Sequence, residues 1–411
     1  MNMDNTSLQN LPLKGIKVID AASFIAAPLV SALMSDYGAE VIKIEHLTGD
    51  TYREAVIGGH VWPESDIDWA FILENRNKRS LSIDLKTEYG QVILKKLINE
   101  SDVFITNLPG KPREKLGLTS DIIRRINPKI IYASLTGYGE IGPDSKRTAL
   151  DSTAYFARSG LMEWAKTDEA KGVPPFPIPG GGDHPTGLSL FTSILLGLMN
   201  REKTGLGTTV STSLLANGIW SNAMLVQALL AGHNPIDTFH WDTLSAMRNI
   251  YYLKDKTLFF MLLTNEEKHW DLFLKSFNLD FLLEDTRFNT KDNRQLYKKQ
   301  LKIILQEKFI TLSYKEVRDK LIPIGIVFTK IVKTEDTIKD PQTNLNNMFM
   351  DIDGELIKDL KVVAPPLNIE NAPRKNATKA PKLGEHNVEI LTELGYTDEE
   401  IKDMKDNKII L

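Results

Sequence analysis

The sequence predicts an α/β protein with a doubly wound, mainly parallel sheet in a large Rossmann-like domain and a smaller α+β domain beside it. Three observations predict this. Short β-branched runs alternate with helical patterns from Gly15 onward, the signature of βαβ units. The 411 residues exceed what one hydrophobic core usually organises. After Gly232 the pattern changes to a hairpin followed by amphipathic helices, so a second unit of different construction begins there.

The elements follow in order. Ile16–Asp20 is strand-like, Leu29–Tyr37 helical and Glu40–Glu45 strand-like again. Ser80–Leu85 is a further strand, followed by an amphipathic helix over Glu88–Glu100. Val103–Thr106, a helix over Ser120–Ile126 and a strand over Lys129–Leu135 continue the alternation. Parallel crossovers are right-handed, so a doubly wound sheet places its site at the strand C-terminal ends. Gly172–Gly182 is too rich in Pro and Gly for regular structure and delivers the chain into an apolar helix beginning near His184. Thr208–Ser213 alternates like a strand and precedes a second apolar helix, Leu214–Leu230. Tyr251–Leu263 reads as a hairpin, Asn265–Lys330 as several helices and Asn387–Leu394 as a final amphipathic helix. The expected division is a large catalytic domain over 1–231, a smaller domain over 232–335, and a segment over 336–411 returning to the large domain.

Composition narrows the function classes. Hydrophobic residues at 42% and charged residues at 25% are the balance of a globular protein, and the net charge of −4 is dispersed. Neither nucleic acid nor an anionic membrane is therefore expected as a partner. The absence of cysteine excludes thiolate chemistry and disulfides. Met1–Asn10 lacks the basic and apolar regions of a signal peptide, and the apolar stretches Leu188–Met199 and Leu214–Leu230 read as buried helices, so a cytoplasmic protein is expected. No dinucleotide or Walker glycine loop, serine-hydrolase elbow or HExxH helix is present, and the seven histidines lack metal-ligand spacing. No metal site is expected.

Gly180-Gly-Gly-Asp183 at the entrance of an apolar helix is the main candidate for chemistry. Glycines permit close approach by a ligand, and the N-terminal end of the helix is expected to hold the Asp183 carboxylate ionised for acyl chemistry. Nearby N–H groups, with Gly181 and Gly182 in support, would receive a developing oxyanion. The same segment also fits a plain helix cap with turn glycines. Asn75-Arg-Asn-Lys-Arg-Ser80 suits phosphate contacts or a solvated loop. Thr136-Gly-Tyr-Gly-Glu140 follows a strand where such sheets bind ligands, and is equally readable as an ordinary turn.

Together these segments resemble the class III, formyl-CoA transferase-like CoA-transferases. The resemblance runs through Pro12–Asp20, Ala26-Ala-Pro28, Gly38–Glu45, Asn77–Ser80, Thr136–Gly139 and Gly142-Pro143. It continues through Gly182-Asp183 with Gly187, Lys203–Gly207, Asp340-Pro341, Ala364-Pro365 and Leu383–His386. It implies that Asp183 attacks an acyl-CoA, forming an aspartyl anhydride and then an aspartyl-CoA thioester, with no permanently bound cofactor. Coenzyme A and acyl-CoA would be substrates, exchanged with a small carboxylic acid. It also implies interlocked homodimers.

CoA-contacting positions of the family carry over onto Ile25, Ala26, His46, Asn77, Lys78, Arg79, Asn107, Leu108, Lys115, Thr136, Tyr138 and Gly139. Lys78, Arg79 and Lys115 also suit phosphates chemically. Glu140 is a candidate for orienting groups around Asp183. Two departures matter. Ile25 stands where formyl-CoA transferases have Gln, and the region equivalent to their glycine lid, Phe239–Asn249, has no glycine. A bulkier acid than oxalate is expected, and the sequence around Ser23–Pro28, Tyr138–Asp144 and Tyr155–Gly160 looks most like CoA-transferases for 2-hydroxy acids of amino-acid fermentation. Alternatives are an α-methylacyl-CoA racemase, whose His-Asp pair reads Leu150-Asp151 here, a bile-acid or carnitine CoA-transferase, and a non-catalytic CoA-binding protein. The sequence leaves open whether His184 lines the pocket or points away.

Overall fold

Six strands form one sheet in the order β3-β2-β1-β4-β5-β6, every neighbouring pair parallel. They are β1 (Lys17–Ala21), β2 (Glu40–Glu45), β3 (Arg79–Ser82), β4 (Val103–Thr106), β5 (Ile131–Thr136) and β6 (Thr209–Ser213). A computed structural model of the chain describes residues 11–58, 63–166, 173–234, 244–353, 360–372 and 374–411. The chain divides into two compact units, one of residues 1–233 with 347–411 and one of 234–346.

Period-2 alternation along the strands feeds two separate cores. Val18, Val41, Val103, Ile105, Ile131 and Ala133 point to one face, which the helices Ala26–Asp36 and Asp183–Thr204 cover. Ile19, Ile44, Phe104 and Tyr132 point to the other, under Glu88–Asn99, Ser120–Ile126 and the C-terminal helices Asn387–Glu393 and Asp398–Asp406. Close approach between the first two helices depends on Gly187, since a Cβ there would lie 2.6 Å from the Ala26 carbonyl oxygen. The C-terminus is bound to the sheet edge. His386 N–H donates to Ser80 O, Asn387 Oδ1 accepts from Ser82 N–H, and Ile410 bridges Ile83.

Several sequence expectations are corrected. Ser80–Leu85 is a strand only over Arg79–Ser82: Ile83 N–H makes a last bond to Glu45 O while Ile83 also bridges Ile410, and Asp84 N–H turns to Ile409 O. Leu214–Leu230 is two helices, Leu214–Ser221 and Ala223–Leu230, broken where the Asn222 side chain turns to donate to Ser159 O. Nor is its second half buried: no residue of Ala223–Leu230 is enclosed by this chain, and Met224 and Leu230 lie open. Asn387–Leu394 is not the last helix, since the capping box of Thr397 and Glu400 starts another at Asp398.

The unit of residues 234–346 contains a three-stranded antiparallel sheet, β7 (Arg248–Tyr252), β8 (Leu258–Leu262) and β9 (Val327–Lys330). The expected run of helices over Asn265–Lys330 thus ends in a strand. Its core is aromatic, with Phe259, Phe273 and Phe277 packed around Phe309. Of the glycine-free region 239–249, residues 239–243 lie outside the described residues. In the remainder Ala246 and Met247 are buried in this core and Arg248 opens β7. A third, small sheet, β10 (Phe349–Asp353), β11 (Lys361–Val363) and β12 (Ala377–Thr378), belongs to the first unit.

Candidate active site

The strand order reverses between β1 and β4, and a doubly wound sheet opens a crevice at the C-terminal ends of such a pair. The two loops that leave these strands are stitched together. Asn107 Oδ1 accepts from Ser23 N–H at 3.0 Å, and Asn107 Nδ2 donates to Ser23 O at 2.7 Å. Next to them Phe24 is held at φ 65°, a left-handed conformation costly for a bulky side chain. Its N–H donates to Asp50 Oδ1 at 3.3 Å. Asp50 is fixed in turn by the buried Lys43 ammonium at 3.0 Å, which also donates to Ala22 O at 2.8 Å. A buried charge network therefore holds the Ala22–Ile25 loop in shape.

This loop forms one wall of a cavity of about 450 Å³. Phe24, Ile25, Leu108, Leu135, Leu150 and Leu214 give it a mainly apolar lining, and Asp183 sits in that lining. A second cavity of about 310 Å³ is lined by Ile44, His46, Ile83, Leu85 and Lys86. Ser23 and Leu108 belong to both cavities, so the two are adjoining halves of one groove along the strand ends.

Asp183 opens the helix Asp183–Thr204, but Gly182 is the cap residue and no side chain caps the end. The helix-cap reading of Asp183 is thereby corrected. Gly182 is required, because a Cβ there would lie 2.6 Å from the Tyr155 ring. Among the described residues nothing hydrogen-bonds the Asp183 carboxylate. Burial first, then the neighbouring charges of Asp151 and Glu74, push its pKa up to about 7, against a downward pull from His184. Desolvation and two carboxylates thus work against the ionised form that the helix terminus favours. Asp151 also ties down the loop, accepting from Gly182 N–H at 3.2 Å and Ser152 N–H at 2.6 Å, where a π-helical turn, Ser152–Ala157, begins. Gly181 N–H donates to Ile178 O. These two loop N–H groups are thus occupied rather than offered as oxyanion donors.

The remaining expected positions divide into two sets. Ile25, Ala26, Asn107, Leu108 and Thr136 line the cavity of Asp183, and His46 lines the adjoining one. The basic run takes a structural part instead. The Lys78 ammonium is wholly buried and donates to Asp20 Oδ2, Pro28 O, Glu74 O and Asn75 Oδ1 at 2.8–2.9 Å. An ammonium already surrounded by four oxygens cannot serve a phosphate without dismantling that cluster. Asn77 donates to Asp36 and accepts from Thr378 N–H. Arg79 pairs with Glu389 and Glu393 and faces a hollow at the opposite end of the strands, beside Lys17 and Glu40.

Lys115 is exposed at the end of the helix Gly110–Lys115, next to Leu116 of the second cavity's lining. Tyr138 lies under the guanidinium groups of Arg147 and Arg158, and Gly139 N–H donates to Thr136 Oγ1. Glu140 holds Arg113, a residue that lines the same cavity as Asp183. Its carboxylate receives two hydrogen bonds from Arg113, at 3.0 and 2.7 Å, and one from Ser134 at 2.6 Å, which hold it ionised despite partial burial.

Four residues of the site escaped the sequence reading. Arg113 and Arg147 are cations in the cavity lining, and the Lys146-Arg147 doublet after the Thr136–Gly139 loop was a usable signal for the second. Glu74 and Asp151 face Asp183 from 109 and 32 residues upstream; no local pattern marks Glu74, and Asp151 stood out only as the second member of the Leu150-Asp151 pair, not as a neighbour of Asp183. His184 resolves toward the helix Trp69–Asn75, where its Nε2 meets Glu74 Oε1 at 2.9 Å. Among the described residues no group of three or more metal-ligating side chains converges. The groove offers an apolar channel, cations at its rim and one unengaged carboxylate, a set suited to acyl transfer onto Asp183.

The sequence profile of CoA-transferase family III matches residues 13–387. The chain is 34% identical, over 97% of its length and 99% of the relative's, to (R)-2-hydroxy-4-methylpentanoate CoA-transferase of Clostridioides difficile. It is 31% identical, over 97% of each chain, to cinnamoyl-CoA:phenyllactate CoA-transferase of Clostridium sporogenes. Among solved structures, a CAIB/BAIF family protein from Brucella suis is similar at a TM-score of 0.80 and 28% identity, covering 94% of this chain and all of that one.

Proposed function

This chain belongs to CoA-transferase family III, and from that premise we propose that it moves coenzyme A between an acyl-CoA and a branched or aromatic 2-hydroxy acid, with Asp183 as the covalent carrier. The observation that carries the reading is the Asp183 carboxylate standing without a hydrogen bond among the described residues, in the wall of an apolar cavity at the sheet's switch point. CoA-transferases of this family take CoA thioesters as substrates. The thioester carbonyl would meet Asp183 there, with the pantetheine arm running past Ser23 and Leu108 and the nucleotide end toward His46 and Lys86.

In the proposed sequence an Asp183 oxygen attacks the thioester carbon, the C–S bond breaks and CoA thiolate leaves. The thiolate attacks the aspartyl carbonyl of the mixed anhydride, releasing the first acid as its carboxylate and leaving an aspartyl-CoA thioester. The incoming carboxylate attacks that thioester, and the thiolate finally takes the new acyl group, which regenerates Asp183. Carboxylates and thiolates exchange charge one for one, so no net proton is consumed. Ile25 and Leu150 contribute no polar group to the acyl side, which favours a bulky hydrocarbon acid over oxalate. Leu150 also supplies no proton shuttle opposite Asp183, which argues against racemisation. The open apolar face of Ala223–Leu230, with Trp220 just before it, is what a homodimer of this chain would cover.

The test is a panel of acyl-CoA donors offered with branched, aromatic and steroidal acids, with hydroxylamine quenching and peptide mass spectrometry at Asp183. The expected result is CoA transfer to a branched or aromatic 2-hydroxy acid and a hydroxamate on Asp183. An enzyme that exchanges CoA while Asp183 is never modified refutes the covalent reading.

A further inference from the structure

Glu74 is a carboxylate with 2% of its side chain exposed, and its Oε2 has no hydrogen-bond partner among the described residues. Its other oxygen meets His184 Nε2 at 2.9 Å. His184 follows Asp183 directly on the first turn of the helix, so the residue beside the candidate nucleophile is anchored by a buried carboxylate. We propose that the Glu74–His184 pair is a positioning device for Asp183: Glu74 orients and charges the imidazole, and the imidazolium holds the neighbouring carboxylate ready for attack. This rests on the reading of Asp183 as nucleophile.

The electrostatics around the pair agree with its geometry. Desolvation opposes protonation of the His184 ring, but 45% of that side chain is exposed, and the hydrogen bond and charge of Glu74 together with the charge of Asp183 raise its pKa. Arg76, itself paired with Asp36, pulls the other way. Around Asp183, burial, Asp151 and Glu74 all favour the neutral acid, and His184 is the cation that opposes them. The Tyr52 phenol, which faces Glu74 and Asp183, is driven upward by burial and those two charges and stays neutral. Loss of the His184 charge would therefore raise the Asp183 pKa further.

Two measurements test this. The first is the pH profile of Asp183 adduct formation with isocaproyl-CoA, quenched by hydroxylamine, in wild type and His184→Gln. Loss of a cation beside a carboxylate raises the carboxylate's pKa by about one unit or more, so the acid limb of the variant should move up by about one pH unit. A merely structural role lowers the rate at all pH values without moving the limb.

The second keeps His184 in place, in case Glu74 left unpaired prevents folding. Coupling between two sites is reciprocal, so the His184 imidazole resonance should titrate at lower pH in Asp183→Asn than in wild type, by the same interval. An unmoved limb with the adduct still forming, or an unmoved imidazole midpoint, overturns the positioning role alone. Absence of any adduct in wild type refutes the nucleophile reading and this one with it.

Discussion

Replacing Asp183 by Asn should stabilise the protein while abolishing transfer, and the gain should depend on pH. The folded state moves the carboxyl from 3.8 to about 7, chiefly through burial. A group raised above its unfolded value binds a proton preferentially in the folded state, so stability is lost as pH rises between those two values. At about 1.36 kcal/mol per pKa unit the loss reaches about 4 kcal/mol above pH ~7, an upper bound that water entering the open cavity lowers. Asn carries no such titration and keeps the shape. The advantage of Asp183→Asn should therefore grow by about 2 kcal/mol between pH ~5.5 and pH ~8.5. Urea unfolding of both proteins at the two pH values, without substrate, measures it. A variant less stable than wild type at both would mean that unseen donors hold the carboxylate ionised, and the account of its environment would fail.

Lys78→Met should destabilise by about 3–5 kcal/mol, because it leaves the Asp20 carboxylate buried without its cation. A variant that instead folds normally and shows only a raised KM for acyl-CoA would restore Lys78 as a phosphate contact. Asn107→Ala removes both bonds to Ser23 at a cost of about 1–3 kcal/mol and frees the loop that holds Phe24 at its left-handed φ. Steady-state kinetics should show KM for acyl-CoA rising more than kcat falls, and unchanged constants would mean that the loop shape does not govern binding.

The sequence by itself determined the sheet and singled out the position proposed to react. Val103–Thr106 and Ser120–Ile126 coincide with the observed elements, because period-2 and period-3.6 patterns are local properties of the chain. Gly180-Gly-Gly-Asp183 was legible because its glycines are a local steric requirement, met at Gly182 against Tyr155. Charge pairing, by contrast, was not local. Asn77, Lys78 and Arg79 read as one basic patch, yet folding sends Lys78 inward to Asp20 and Arg79 to Glu389 and Glu393, 310 and 314 residues away. Glu74 and Asp151 reach Asp183 only when three segments converge, and together with burial they oppose the ionisation expected from the helix terminus alone. Tertiary structure decided which charges meet and which are buried, because Coulomb energy and desolvation depend on distance in space and not on separation along the chain.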